Sequence, residues 1–247
     1  MAKRLLFSLL LLLCSAALVF SQTPIRYQLG LADIGHHELH VSVEFPNLPR
    51  QVLQVRMPRA SPGRYAVHEF AKNVYDVRAY DEAGKELTVY RATPHQWDVA
   101  GHDGYVRFDY TLYANHGDGT FSGVDNRKLH LNMPATFVYG VDMQDRPVEL
   151  RIDLSGHPGW KVATQLVSTE EGAYRAPDYY YFYDSPVFAG DIDFRHWTSV
   201  SNNRYYTIEV AMLLEGTGEE LDDYAMWVQQ VVEEQKAVFG ELPDFDF

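Results

Sequence analysis

The densest group of potential metal ligands in this 247-residue sequence is His36–His40, which has the sequence HHELH. A zinc protease site on a helix needs two histidines four residues apart, with a glutamate directly after the first to act as base on the metal-bound water. His36 and His40 have that spacing, but the glutamate, Glu38, lies two residues after His36 instead of directly after it. His37 is followed by Glu38, but Val41 occupies the place of the second histidine. The segment also alternates like a strand, so we interpret these residues as solvent-facing strand histidines.

Other candidate ligands and nucleophiles also lack a complete pattern. His68 is followed by a glutamate, but Lys72 stands where the second histidine is needed. The acid pairs in Asp191–Asp193 and Asp244–Asp246 lack the further, regularly spaced oxygen ligands that hold calcium. The sequence contains neither a Gly-x-Ser-x-Gly elbow nor a Gly-x-x-x-x-Gly-Lys phosphate loop. We therefore predict no catalytic residue, no metal ligand and no cofactor in this chain, and leave its substrate-binding residues undetermined.

A run of aromatic residues allows two interpretations. Tyr174 and Tyr179–Tyr183 would suit stacking against sugars or a peptide chain. Tyrosines on both faces of a strand that packs against a second domain explain the run equally well, because the tyrosine ring is apolar and its hydroxyl is polar. We favour the packing interpretation.

The composition limits the class of protein. Hydrophobic residues make up 46% of the chain and aromatic residues 14%, which excludes overall disorder. The 21 Lys and Arg residues face 34 Asp and Glu residues, giving a net charge of −13 without a basic stripe, so we expect no nucleic-acid partner.

The first 21 residues predict export. Met1–Ser21 has two early cations, an apolar run and a small residue at its end, which is typical of a secretory signal peptide cleaved after Ser21. A retained membrane anchor is the alternative, but the apolar run is shorter than the ~20 residues of a spanning helix. We therefore expect a secreted or periplasmic protein. The single cysteine, Cys14, would leave with the signal peptide, excluding disulfides and cysteine catalysis.

The elements that would position any site are mainly strands. Apolar and polar residues alternate with a period of two between Thr23 and Gly190, between turns rich in glycine, proline and asparagine. The clearest predicted strands are Glu38–Phe45, Tyr105–Leu112 and Val148–Leu154. Weaker ones are Val52–Met57, Val74–Tyr80, Phe137–Val141 and Lys161–Val167. Seven or more short strands predict an antiparallel β-sandwich-like domain.

The pattern changes near residue 194. A predicted strand at Arg204–Leu214 is followed by a predicted helix at Leu221–Phe239, with four acids in its first turn and Gly240 at its end. Leu242–Phe247 resembles the start of another strand, as in a truncated strand-helix-strand unit of an α/β domain. We therefore predict a signal peptide at 1–21, a β domain at 22–193 and the beginning of a second domain at 194–247.

Four stretches carry a family resemblance. Met57–Tyr65, with the sequence MPRASPGRY, is followed closely by Glu69–Val74, and further on by Asp184–Gly190 and Val238–Pro243. In this order the stretches resemble the N-terminal region of the glycyl aminopeptidase family, zinc metallopeptidases of the gluzincin kind. The two prolines and the glycine of the first stretch also predict a sharp bend with positive φ at Gly63.

The resemblance implies a β domain leading into a thermolysin-like domain that holds zinc in a His-Glu-x-x-His helix, usually followed by a PDZ domain. None of those motifs occurs within Met1–Phe247, so no catalytic or zinc residue is carried over. The chain is thus expected to be an inactive N-terminal scaffold of a secreted zinc aminopeptidase that packs on a missing catalytic domain, with peptide as the substrate of the full-length protein.

Two other functions remain open from the sequence. The chain could be a stand-alone β-sandwich module that binds peptide or glycan, or a non-catalytic family member that continues without zinc ligands. A finished module would bury the apolar stripe of the Leu221–Phe239 helix in its own core, whereas a fragment would leave much of it exposed.

Overall fold

The computed structural model describes residues 22–243. The predicted signal peptide with Cys14, the acid pair in Asp244–Asp246 and the end of the predicted last strand lie outside the described residues. Among residues 22–243, no helix has the length and apolar character needed to cross a membrane.

The described residues form strands and three short or medium helices. The strands are β1 Ile25–Asp33, β2 Glu38–Phe45, β3 Leu53–Arg56, β4 Val74–Tyr80, β5 Thr88–Thr93, β6 Gln96–Ala100, β7 Val106–Tyr113, β8 Gly123–Val124, β9 Lys128–Leu131, β10 Tyr139–Gly140, β11 Val148–Asp153, β12 Lys161–Ala163, β13 Val167–Ser168, β14 Tyr174–Ala176, β15 Val187–Gly190, β16 Asp193–Ser201 and β17 Arg204–Met212. The helices are α1 Met133–Thr136, α2 Tyr179–Tyr183 and α3 Gly218–Phe239, and 3-10 turns lie at Ile34–His36 and Phe70–Asn73.

The strands make three larger sheets and one hairpin. The seven-stranded sheet has the order β13-β14-β11-β1-β2-β7-β4, and two four-stranded sheets have the orders β10-β3-β6-β5 and β12-β15-β9-β8. Strands β16 and β17 pair only with each other among the described residues. Pairing is antiparallel except between β1 and β11, which run parallel with Ile25 opposite Val148.

One continuous core joins the three larger sheets. The inward residues of β2 and β7, which include Phe45 and Phe108, are fully buried and belong to the same cluster as residues of both four-stranded sheets. Across that interface, Trp97 of β6 meets Phe108 at a ring distance of 6.0 Å. The expected mainly β, sandwich-like fold is therefore confirmed, with a parallel pair added to the antiparallel pattern.

Three buried tyrosines fix the segment that follows α1. The hydroxyls of Tyr110, Tyr179 and Tyr27 donate hydrogen bonds to the consecutive carbonyls of residues 136, 137 and 138, at 2.6, 3.2 and 2.8 Å. Each hydroxyl is thereby satisfied inside an apolar core, where an unpaired polar group would cost about 1–3 kcal/mol. Burial raises the pKa of all three phenols.

The outer face of the seven-stranded sheet carries alternating charges. Along one row across five strands lie Arg175, Glu149, Arg26, Glu44 and Arg107, each opposite a residue of the other sign. Arg26 lies 3.4 Å from Glu44, and Arg175 lies 3.6 Å from Glu149. Opposite charges that face each other across neighbouring strands stabilise the sheet, and Glu149 is buried between its partners.

Candidate functional site

The stretch Met57–Tyr65 forms a rigid loop after β3. Gly63 has φ +71°, the left-handed conformation that its sequence context predicts. The amide of Arg64 donates to the carbonyl of Ser61 at 3.0 Å, and the amide of His68 donates to that of Arg59 at 2.7 Å. These bonds close the loop on itself. The tight turn needs a residue that tolerates positive φ, and Gly63 is that residue.

A buried hydrogen-bond network anchors this loop to its neighbours. The Asn132 side chain lies 3.1–3.2 Å from the Ser61 hydroxyl and also donates to the carbonyl of Thr120. The amide of Asn132 donates to the Ser122 hydroxyl, which in turn lies 2.6 Å from that of Thr136. The network joins the Met57–Tyr65 loop, the loop between β7 and β8, and α1, so each depends on the others for its position.

Beside the network, two histidine rings stack on phenylalanine rings. Phe121 stacks on His116 at 4.5 Å and meets Phe70 edge-on at 5.1 Å, and Phe70 in turn stacks on His68 at 5.1 Å. The ammonium of Lys72 lies 5.1 Å from the Phe121 ring. His68, which resembled half of a metal motif in the sequence, therefore serves packing here.

The tip of the Met57–Tyr65 loop carries apolar surface. Tyr65 is fully exposed and Val67 is two-thirds exposed. Nearby, Asp118 accepts the amides of Thr120 and Phe121 at 2.9 and 3.2 Å, and the first of these bonds is the main reason why the pKa of Asp118 is lowered. A loop with an exposed aromatic tip can contact another protein surface.

The residues of the HHELH segment point in different directions. Nδ1 of His36 lies 2.6 Å from Asp33, and the hydrogen bond to Asp33 raises the pKa of His36. Nδ1 of His37 donates to the carbonyl of Val124 at 2.6 Å. His40 alone lies in β2, where it faces Thr111 on the polar side of the sheet. The interpretation as strand histidines is thus correct for His40 and wrong for His36 and His37, because the chain makes a 3-10 turn before β2 begins.

The remaining ligand candidates make ordinary surface contacts. Glu69 pairs with Arg59 at 2.5 Å, and Asp193 lies 3.9 Å from Arg195. Within residues 22–243, no group of three or more His, Cys, Asp or Glu side chains could hold a metal ion. The zinc that the family resemblance implies therefore has no fitting set of ligands in the described part of the chain.

The tyrosine run forms helix α2 rather than the strand that we predicted. Asp178 caps the helix by accepting the amide of Tyr181 at 2.8 Å. Tyr179 and Phe182 are buried, and the hydroxyl of Tyr183 donates to the carbonyl of Ala60 in the Met57–Tyr65 loop. Only Tyr180 of the five is exposed. The run thus packs the core and supports the loop, which does not favour a ligand-stacking platform.

Helix α3 has two apolar faces. Leu221 and Ala225 are buried, and Val232 packs on the β16–β17 hairpin. The second face, which we call the α3 ridge, consists of four exposed side chains, Trp227 (58% exposed), Val231 (56%), Val238 (80%) and Phe239 (78%). Much of the apolar stripe of the predicted Leu221–Phe239 helix is therefore exposed, Phe239 included. The sequence analysis did not identify Trp227, although this residue lies at helical spacing, four residues before Val231.

Polar contacts hold α3 on the hairpin. The ammonium of Lys236 donates to the hydroxyl of Ser199 in β16 at 2.9 Å and pairs with Glu233. At the start of the helix, Thr217 and Glu220 form a capping box. The capping box stabilises the start of α3, whereas the contacts of Lys236 and Val232 hold the helix on the hairpin.

Comparison with known proteins identifies the β domain. The Peptidase M61 N-terminal domain family matches residues 26–191, which is 166 of the 247 residues. The structure is similar to an aminopeptidase N family protein from Idiomarina loihiensis, with a TM-score of 0.77 and 20% identity over 90% of this chain and 38% of that one. At this identity the likeness establishes the fold alone.

An M1 zinc metallopeptidase from Deinococcus radiodurans gives a TM-score of 0.42 and 11% identity over 80% of this chain and 49% of that one. Comparison with curated proteins gives no match. The chain thus spans 38% and 49% of the two solved structures. Since the family match covers about two thirds of the sequence, the chain belongs to the Peptidase M61 N-terminal domain family.

Proposed function

We propose that this chain is the N-terminal scaffold region of an exported, zinc-dependent aminopeptidase of the glycyl aminopeptidase kind. In this proposal residues 22–193 form the β domain, and residues 194–247 begin the catalytic domain. Family membership supports the scaffold role. The similar Idiomarina loihiensis structure is longer, since this chain covers 38% of it, and this supports a continuation of the architecture beyond the β domain.

The observation that carries the proposal is the exposed α3 ridge. Apolar surface contributes roughly 25 cal/mol per Å² when it is removed from water, so four large side chains on one helix face favour a protein cover. The exposed ridge suits a unit that the remainder of a longer polypeptide completes.

In this proposal the β domain positions the peptide, and the catalytic domain cleaves it. The Met57–Tyr65 loop, fixed by the Asn132 network, would offer its exposed tip to the neighbouring domain or to the peptide. Zinc and the residues that activate water would belong to the catalytic domain, because residues 22–243 bring no fitting ligand set together. We expect the 247-residue chain alone to bind no zinc tightly and to release no amino acid from peptides.

Ridge variants test the proposal. We expect the exposed ridge to make the 247-residue chain self-associate. Trp227→Glu combined with Val231→Glu should reduce that association in sedimentation and leave the unfolding midpoint of the chain unchanged, since both side chains are exposed. The same pair introduced into the product of the complete coding sequence should lower its stability and its peptidase activity. Leu221→Ala is the matched control, because it removes a buried side chain of the same helix and should destabilise both proteins by roughly 2–5 kcal/mol.

Two results would contradict the proposal. One is a complete coding sequence that lacks a His-Glu-x-x-His motif after residue 247. The other is equal activity and stability of the complete protein with and without the ridge substitutions. Stoichiometric nanomolar zinc binding by the 247-residue chain in calorimetry would show that we misjudged its own histidines.

A further inference from the structure

We propose that Gln22 is a modification site, at which the mature chain cyclises to an N-terminal pyroglutamate. The inference rests on the proposed export, because cleavage after Ser21 would make Gln22 the first residue. In the reaction the α-amino nitrogen of Gln22 attacks its own side-chain amide carbon. The new N–Cδ bond closes a five-membered lactam, the Cδ–Nε2 bond breaks, and the amide nitrogen leaves as ammonia with the proton from the amine.

The structure places Gln22 where this reaction is possible. Gln22 is exposed. The reacting groups belong to one residue, so ring closure needs no encounter between molecules. An ordinary α-amino group has a pKa of about 7.7–8.0, which leaves a reactive neutral fraction near pH 7.

The chain is fixed immediately after Gln22. The carbonyl of Thr23 accepts Nε of Arg146 at 3.1 Å, and the Thr23 hydroxyl accepts the amide of Asn47 at 2.8 Å. From Ile25 the chain is a strand between two neighbours. Gln22 therefore directly precedes an anchored segment, and it lines one cleft together with Asp142 and Asp145.

The modification would protect this end of the protein. An enzyme that removes residues from the N-terminus acts at a free α-amine, and the lactam has none. The fixed Thr23 and the tertiary amide before Pro24 leave no further free residue to expose. An exported aminopeptidase would thereby be resistant to its own activity and to that of similar enzymes in the same compartment.

The test compares the exported wild-type protein with Gln22→Glu, in which the leaving group would be hydroxide instead of ammonia. The wild-type mature chain should start at residue 22, have the mass of that chain minus one ammonia, and give no Edman sequence until it is treated with pyroglutamyl peptidase. Gln22→Glu should keep a free amine and should lose residue 22 to an added broad-specificity aminopeptidase, which leaves the wild type intact.

The outcomes separate the inference from the proposed function. A mature wild type that starts at Gln22 with a free amine, or that starts at another residue, overturns the inference and leaves the scaffold proposal standing. An uncut precursor overturns both the inference and the export part of the proposal. Peptidase activity of the complete protein is measured independently and bears only on the proposed function.

Discussion

Gly63 shows how a single residue shapes the Met57–Tyr65 loop. Its positive φ of +71° lets the chain reverse between Pro62 and Tyr65, and a Cβ placed on it would meet nothing within 4 Å. The site therefore selects glycine for backbone conformation alone, since no neighbouring side chain limits its size.

Replacing Gly63 with valine should lower the free energy of unfolding by about 1–3 kcal/mol, because a β-branched residue is strained at positive φ. Urea denaturation measures the change. Gly156→Val is the matched control, since Gly156 also has open space around it but no positive φ. Equal midpoints for the two variants would show that the bend does not depend on glycine.

For single residues, the sequence predicted local backbone conformation but not hydrogen-bond partners that lie far apart in the chain. The bend at Gly63 follows from two prolines and a glycine within a few residues of one another. The Asn132 network joins residues up to 71 positions apart, and nothing in the local sequence pairs them. The available signal was Asn132 itself, a polar residue at the N-terminal cap position of α1, although its side chain does not cap the helix and bonds to Ser61 and Thr120 instead.

The start of helix α3 is stabilised by a capping box. Its capping box satisfies amides at the first turn, with the Thr217 hydroxyl accepting the amide of Glu220 at 3.3 Å and the Glu220 carboxylate accepting that of Thr217 at 2.8 Å. The hydrogen bonds from Thr217 lower the pKa of Glu220. Both residues are solvent-exposed, so the contribution is local to the start of the helix.

Thr217→Ala should destabilise α3 by about 0.5–2 kcal/mol, because an amide of the first turn loses its acceptor. Hydrogen exchange of the α3 amides measures the effect, and Thr217→Ser should restore protection. The stabilisation by Glu220 is present above the pKa of the unfolded side chain and is lost as pH falls through the lower folded pKa. Exchange rates equal to wild type in Thr217→Ala would contradict the capping role.

Elements were predictable where periodicity was strong. Strand β2 occupies the predicted Glu38–Phe45, and β4 the predicted Val74–Tyr80. Strand β1 was not identified, although its apolar residues alternate, because Gly30 interrupts the strand-forming composition. Helix α2 was predicted as a strand because tyrosine favours strands, and the cap at Asp178 outweighed that preference.

For the molecule as a whole, the buried tyrosines make the free energy of unfolding depend on pH in the alkaline range. The phenols of Tyr27, Tyr110 and Tyr179 have raised pKa values, chiefly because burial disfavours the charged form. Above pH of about 10, the unfolded chain loses protons that the folded chain keeps, so the free energy of unfolding falls as pH rises.

We therefore expect a fraction of the tyrosinate absorbance to appear only when the protein unfolds. An ultraviolet titration followed together with far-ultraviolet circular dichroism measures this. Tyr110→Phe, which removes a buried phenol, should reduce the late fraction, whereas Tyr180→Phe on the exposed side of α2 should not. Complete ionisation with an unchanged dichroism spectrum would show that the phenols reach solvent in the folded state.

The parallel pairing of β1 with β11 sets the timing of assembly. Ile25 lies opposite Val148, 123 positions later in the chain, so the first strand made cannot gain its second neighbour until much of the β domain has been synthesised. At about 5–20 residues per second the ribosome would need roughly 6–25 s to deliver that partner. During this interval one long apolar edge of the nascent chain stays unpaired, which makes it a natural target for holding chaperones.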